Sequence, residues 1–115
     1  MPAKVVIHLF HADESSLGTG AHVSERIRQV KDERGVAFEV YVFGPAEKAL
    51  GDPAQSSFRE ALIKLAADHI PVHVCRSIAE DMGRADEFVG LGFTLEYARD
   101  AFVRFAVEGA TVVSF

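Results

Sequence analysis

Lys4–Phe10 reads KVVIHLF, a β-branched and nearly continuous apolar run. A strand with one face in water alternates apolar and polar residues, whereas one covered on both faces does not. The run therefore predicts a strand in a parallel sheet with helices on both sides. Downstream, Val36–Phe43 (VAFEVYVF) repeats the pattern and stops at Gly44-Pro45. Ile70–Cys75 (IPVHVC) forms a short third strand, with Pro71 at its start where no ladder donor is needed. Ala110–Ser114 (ATVVS) closes the set, and Val89–Gly92 fits a short fourth strand.

Helical spacing fills the intervals. Val23, Ile27 and Val30 lie opposite Glu25, Arg28, Gln29 and Glu33, predicting a helix over 20–34. Thr19 is its candidate N-cap, and Gly35 the left-handed residue that ends it. His11–Thr19 then reads as a polar loop. Ala46–Leu50 suits one helical turn, and Asp52-Pro53 starts a helix carrying Phe58, Leu62, Leu65 and Ala66 inward. Ser77–Met82 is a short helix closed by Gly83. Thr94 caps a last helix presenting Leu95, Ala98, Phe102 and Phe105 to the core. Strands alternating with helices predict a three-layer α/β/α sandwich with a mostly parallel sheet of about five strands.

Composition bounds the rest. The 115 residues suit a single domain spanning 1–115, and the area laws predict roughly 6,200 Å² folded against about 18,000 Å² unfolded. With 49% apolar and 25% charged residues, disorder is excluded. Twelve Lys+Arg against 17 Asp+Glu gives a net charge of −5, which argues against nucleic acid or an anionic membrane as partner. No leader pattern follows Met1-Pro2-Ala3-Lys4, and no apolar run reaches membrane-spanning length. A cytoplasmic protein is expected, with its single cysteine, Cys75, a free thiol.

In a parallel sheet, ligands bind beyond the carboxyl ends of the strands. That rule selects Phe10–Asp13, Phe43–Pro45, Cys75–Ser77 and Gly92–Thr94. Cys75 ends a strand just ahead of a helix, where unpaired N–H groups and the positive charge of Arg76 favour a thiolate. Ser77 is placed to cap that helix and donate to the sulfur. His73, two residues back, shares the face of Cys75 at roughly 7 Å, too far to pair directly unless the strand bends. The alternative is a small buried hydrophobe, the usual behaviour of a free cysteine. His11 is placed to line a pocket, while His8 reads as a core histidine bonded to a carbonyl. No spacing of His, Cys, Asp or Glu supplies a metal site. Gly18-Thr19-Gly20 lacks both the third glycine of a dinucleotide fingerprint and the lysine of a P-loop, so it reads as a flexible approach to the helix. Apolar residues on the last helix (Phe102, Val103, Phe105, Ala106, Val107) exceed one stripe and point to a subunit interface.

Taken in order, KVVIHLFH, FEVYVFGPAEKAL, LIKLAADHIPVHVCRSIAEDMG and EGATVVSF resemble the DsrE/DsrF-like family of sulfur-relay proteins. Its most specific elements here are Gly44 closing strand two and Cys75 ending strand three ahead of a short helix and Gly83. The resemblance implies a five-stranded α/β/α sandwich assembled as a homo-oligomer, commonly a trimer or hexamer. It also implies a persulfide carried on Cys75 and passed to a partner thiol, with a donor or acceptor protein as partner. His73, Arg76, Ser77, His11 and Gly44 are then supporting or pocket residues, and no cofactor is expected. The alternative on the same scaffold is a non-catalytic module binding a small ligand or a partner. A flavodoxin-type carrier shares the layer order but lacks its phosphate loop after strand one.

Overall fold

The computed structural model describes residues 3–115; the expected start of the chain and of its domain at Met1 and Pro2 lies outside them. Five strands form one sheet in the order β4-β3-β2-β1-β5, every neighbouring pair parallel. They are β1 (Ala3–Leu9), β2 (Val36–Val42), β3 (Val72–Val74), β4 (Thr94–Leu95) and β5 (Thr111–Ser114). β1 and β2 pair along seven residues each, from Ala3 opposite Val36 to Leu9 opposite Val42. The α-helices among the described residues are α1 (Glu14–Arg34), α2 (Pro45–Ala49), α3 (Ser56–Ala67), which a 3₁₀ turn at Pro53–Gln55 leads into, α4 (Arg76–Asp81), α5 (Ala85–Gly90) and α6 (Ala98–Glu108).

Both sheet faces are covered, as the unbroken apolar strands require. Ile7, Leu9, Phe38, Val40, Val42, Val72 and Val74 face the larger core, closed by Leu17 of α1, Phe58, Leu62 and Leu65 of α3, and Phe88 of α5. The opposite face carries Val6, Tyr41 and Cys75 beneath Ala101 and Phe105 of α6. The accessible surface of 6139 Å² matches the area-law expectation.

Three expectations fail for local physical reasons. The first helix begins at Glu14, not at 20: the Asp13 carboxylate accepts from the Ser16 N–H at 3.0 Å, so Asp13 is the N-cap rather than part of a solvated loop. Gly18-Thr19-Gly20 therefore lies inside α1. A Cβ on Gly20 would collide with the Leu9 side chain, so this glycine serves close packing of helix on strand, not a phosphate. Val89–Gly92 is no strand; Val89 and Gly90 end α5, and β4 is the two-residue Thr94–Leu95. Thr94 is thus a strand residue, and α6 begins four residues later with Tyr97 at its N-cap.

Candidate functional site at the carboxyl edge of the sheet

Phe43 follows β2, Cys75 follows β3, and Tyr97 follows β4, so three strand exits converge on one place. With Ser77 and Ile78 of α4 and Ala98 and Arg99 of α6, they line an open depression of about 600 Å³. Phe43 and Ile78 give it apolar lining, Cys75 brings the thiol, and Arg99 brings a guanidinium whose Nε donates to Asp100 Oδ1 at 3.0 Å. Arg76 stands beside it, its guanidinium 5.9 Å from the centre of the Tyr97 ring.

Cys75 is only 3% exposed. Its backbone is held twice: the N–H donates to the Val42 carbonyl at 3.2 Å and to Glu47 Oε1 at 3.0 Å. Strand alternation turns its side chain to the face of Tyr41 and His73, while Val74 enters the larger core. The expected cap by Ser77 is absent: α4 begins at Arg76, Cys75 is the N-cap residue, and its side chain makes no cap bond. With only six residues, α4 brings little dipole to the sulfur.

Glu47 is the feature that sequence reading missed. Its side chain is wholly buried beneath the Cys75 peptide, yet Oε2 has no hydrogen-bond partner. Burial pushes the carboxyl up to about 8, the Cys75 N–H opposing only in part, so Glu47 is mainly the neutral acid at pH 7. The signal was faint: Ala46, Ala49 and Leu50 form the apolar side of the turn, and Glu47 precedes Leu50 by three residues. Tyr41, also buried, donates its hydroxyl to the Glu96 carbonyl at 2.8 Å. Burial, then the Cys75 thiol, pushes its phenol pKa upward, so it is neutral at any working pH.

His73 shares the sheet face of Cys75 but is engaged elsewhere, its Nδ1 lying 2.8 Å from Glu96 Oε1. Around this pair sits an ion network. Arg104 of α6 grips both oxygens of Glu39 at 2.8 Å and both oxygens of Glu96 at 2.8 and 3.0 Å. Lys4 adds a second cation to Glu39. Glu39, His73 and Glu96 offer ligand atoms within 4.8 Å of one another, but the guanidinium already supplies the positive charge between the carboxylates. The cluster fastens α6 over the sheet.

The remaining sequence candidates scatter. His11 is exposed beyond β1, its ring against Phe10, and does not line the Cys75 depression. Gly44 has φ +66°, and a Cβ there would come within 2.5 Å of the Phe10 ring. It lines a neighbouring depression of about 510 Å³ that shares Ile78 with the first. His8 bonds the Ser114 hydroxyl at 3.0 Å rather than a carbonyl, and its buried Nε2 has no partner among Phe10, Tyr41, Phe43 and Phe102. Burial, then the nearby His11, lowers its pKa. Because β4 begins at Thr94, the residues at its exit are Glu96 and Tyr97, not Gly92–Thr94.

No family model matches the chain, and no curated protein does. Solved structures do. A conserved protein of unknown function, BT1422 from Bacteroides thetaiotaomicron, superposes with a TM-score of 0.77 at 16% identity, covering 97% of this chain and 94% of that one. A protein of unknown function, MTH1491 from Methanobacterium thermoautotrophicum, gives 0.72 at 18% identity over 98% and 99%. The ychN protein of E. coli gives 0.69 at 17% identity over the whole of both chains. At such identities the likeness concerns the fold alone: the chain is an α/β sandwich on a five-stranded parallel sheet.

Proposed function

We propose that this protein is a sulfur carrier of the DsrE/DsrF-like kind, holding a sulfane sulfur on Cys75 and passing it to a partner thiol. The observation that carries the reading is the placement of the chain's one sulfur nucleophile in the lining of an open depression where three parallel strands exit. The Cys75 thiolate attacks the outer sulfur of a donor persulfide R–S–SH. A bond forms to Cys75, the donor's S–S bond breaks, and the donor leaves as RS⁻. With one cysteine per chain, discharge needs an acceptor thiol from outside. Arg99 in the lining and Arg76 beside it suit an anionic donor or acceptor tail, and Ser77 and Tyr97 offer hydroxyls to it.

The reading treats residues 1–115 as one cytoplasmic domain that works as a homo-oligomer. Val103 and Val107 stand one turn apart on α6 at 60% and 80% exposure, and the edge strand β5 exposes Val112 and Val113. Burying such a face against a second copy removes apolar area from water.

The apolar lining favours a second reading, a binding module in which Cys75 only lines the depression. Incubation with a persulfide donor and intact-mass measurement separates the two. A carrier gains one sulfur on the wild type and none on Cys75→Ser; equal loading of both, or no gain, leaves only the binding module.

A further inference from the structure

We infer that two copies of this chain pair through their β5 edges, antiparallel about a two-fold axis at Val113, so that two five-stranded sheets run on as one of ten. The pairing rests on the homo-oligomer reading above and gives it a definite seam. The sheet's two edges, β4 and β5, are not alike. β4 is two residues long, too short to template another strand. β5 has all four residues exposed, and its register with β1 runs without a bulge from Val5 opposite Thr111 to His8 opposite Ser114. Edge strands are ordinarily guarded by a charge, a proline, a bulge or a covering segment. Gly109–Phe115 (GATVVSF) holds no charged side chain and no proline, so this edge is unguarded.

The ladder fixes which backbone groups of β5 are free. The Phe115 N–H donates to the His8 carbonyl at 2.9 Å, and the Phe10 N–H donates to the Phe115 carbonyl at 2.9 Å. Strand groups alternate sides with a period of two, so Thr111 and Val113 turn their N–H and C=O to β1 as Phe115 does. Those of Val112 and Ser114 therefore point away from the sheet. In an antiparallel pair, opposed residues exchange both bonds at every second position. Val112 opposite Ser114 of the second copy, and Ser114 opposite its Val112, use every outward group of both strands. Val113 then meets itself on the axis. Sliding the register to set Val112 opposite itself would call on Ala110, whose N–H is already bonded to the Phe105 carbonyl at 3.0 Å.

The side chains suit the seam. Val112 pairs with Val6, on the face beneath α6, and Val113 pairs with Ile7, on the face of the larger core. Both valines are exposed in the single chain. Pairing sets Val113 against Val113 and Val112 against Ser114, and no like charges meet although each copy carries −5. The contact uses one patch on both copies and closes after two, which a neutral, self-complementary edge allows.

Disulfide trapping reads the register. In a Cys75→Ser background, Val113→Cys sets two thiols at a non-hydrogen-bonded antiparallel position with Cα atoms about 4.5 Å apart, within the span of a disulfide. It should run as a linked dimer after mild oxidation. Thr111→Cys, whose two copies stand roughly 14 Å apart along the strands, should stay a monomer on the same denaturing gel. Linking of Thr111→Cys as readily as Val113→Cys, or of neither, overturns the pairing. Analytical ultracentrifugation needs no cysteine variant. The wild type should sediment as a dimer or a multiple of one, and Val113→Lys, which opposes like charges at an exposed position, should halve its mass. A trimer, or a Val113→Lys of unchanged mass, overturns the β5 seam and leaves the homo-oligomer reading standing; a monomeric wild type overturns both. Persulfide loading of Cys75 reads the carrier chemistry independently of either.

Discussion

Replacing Arg104 by Met should destabilise the protein by about 2–3 kcal/mol, chiefly by stranding Glu39. Glu39 is 2% exposed in the middle strand of the sheet and accepts from both terminal nitrogens of Arg104. Removing one partner of a buried pair typically costs about 3–5 kcal/mol. Lys4 stays bound to the same carboxylate and Arg104 is itself 30% exposed, so the lower figure applies. An unfolding entropy of roughly 2.1 cal/mol/K per residue converts that loss into a fall in Tm of about 8–12 °C. Thermal and urea melts followed by circular dichroism measure it. The double variant Glu39→Gln/Arg104→Met, which removes the stranded charge, should recover at least half. The pH dependence has a fixed sign. Burial raises the Glu39 carboxyl, but Arg104 and Lys4 more than offset it and hold its pKa below the ordinary 4.5. The stabilisation is therefore present above pH 4.5 and is lost as pH falls through the depressed folded value, so the deficit of Arg104→Met should narrow in acid. A loss below about 0.5 kcal/mol, or a double variant no better than the single, would refute the reasoning.

Asp13→Ala should lower Tm because it removes the carboxylate that accepts from Ser16, whereas Thr19→Ala, inside α1, should leave Tm near wild type. Gly44→Ala should lower stability more than Gly35→Ala in urea melts: Gly35 is left-handed helical, costing about 1–2 kcal/mol for a side chain, whereas Gly44 at φ 66°, ψ −139° lies in a region nearly closed to other residues and would also drive a Cβ into Phe10. Val107→Glu should lower the apparent size in size-exclusion chromatography if copies meet through α6; a wild type already eluting as a monomer contradicts that surface.

The layers of this fold were legible because their signals are local. Continuous apolar runs such as KVVIHLF mark strands covered on both sides, and the stripe of Phe58, Leu62 and Leu65 marks α3. What was not legible depends on partners distant in sequence. Gly20 reads as part of a flexible approach to the first helix until Leu9 presses against it. β4 is two residues long with Thr94 exposed, too short to show a period, while the apolar Val89–Leu91 just before it belongs to the end of α5. Glu39 went unremarked in an otherwise apolar strand, and nothing local names its partner Arg104, 65 residues away. The site was half legible: the strand-exit rule found Cys75 and Phe43, but the misplaced start of α6 hid Tyr97 and Arg99, and the single helical turn over 46–50 did not mark Glu47 as buried.

The carrier reading turns on reaching Cys75, a residue 3% exposed, through its depression. The direct measurement is the rate of Cys75 labelling by a small thiol reagent in urea concentrations below the unfolding transition. Access through the depression predicts a rate that stays flat with urea until the transition begins. A rate that climbs exponentially from the lowest urea, with the slope of global unfolding, would mean that the thiol reacts only when the fold opens, and would contradict the account.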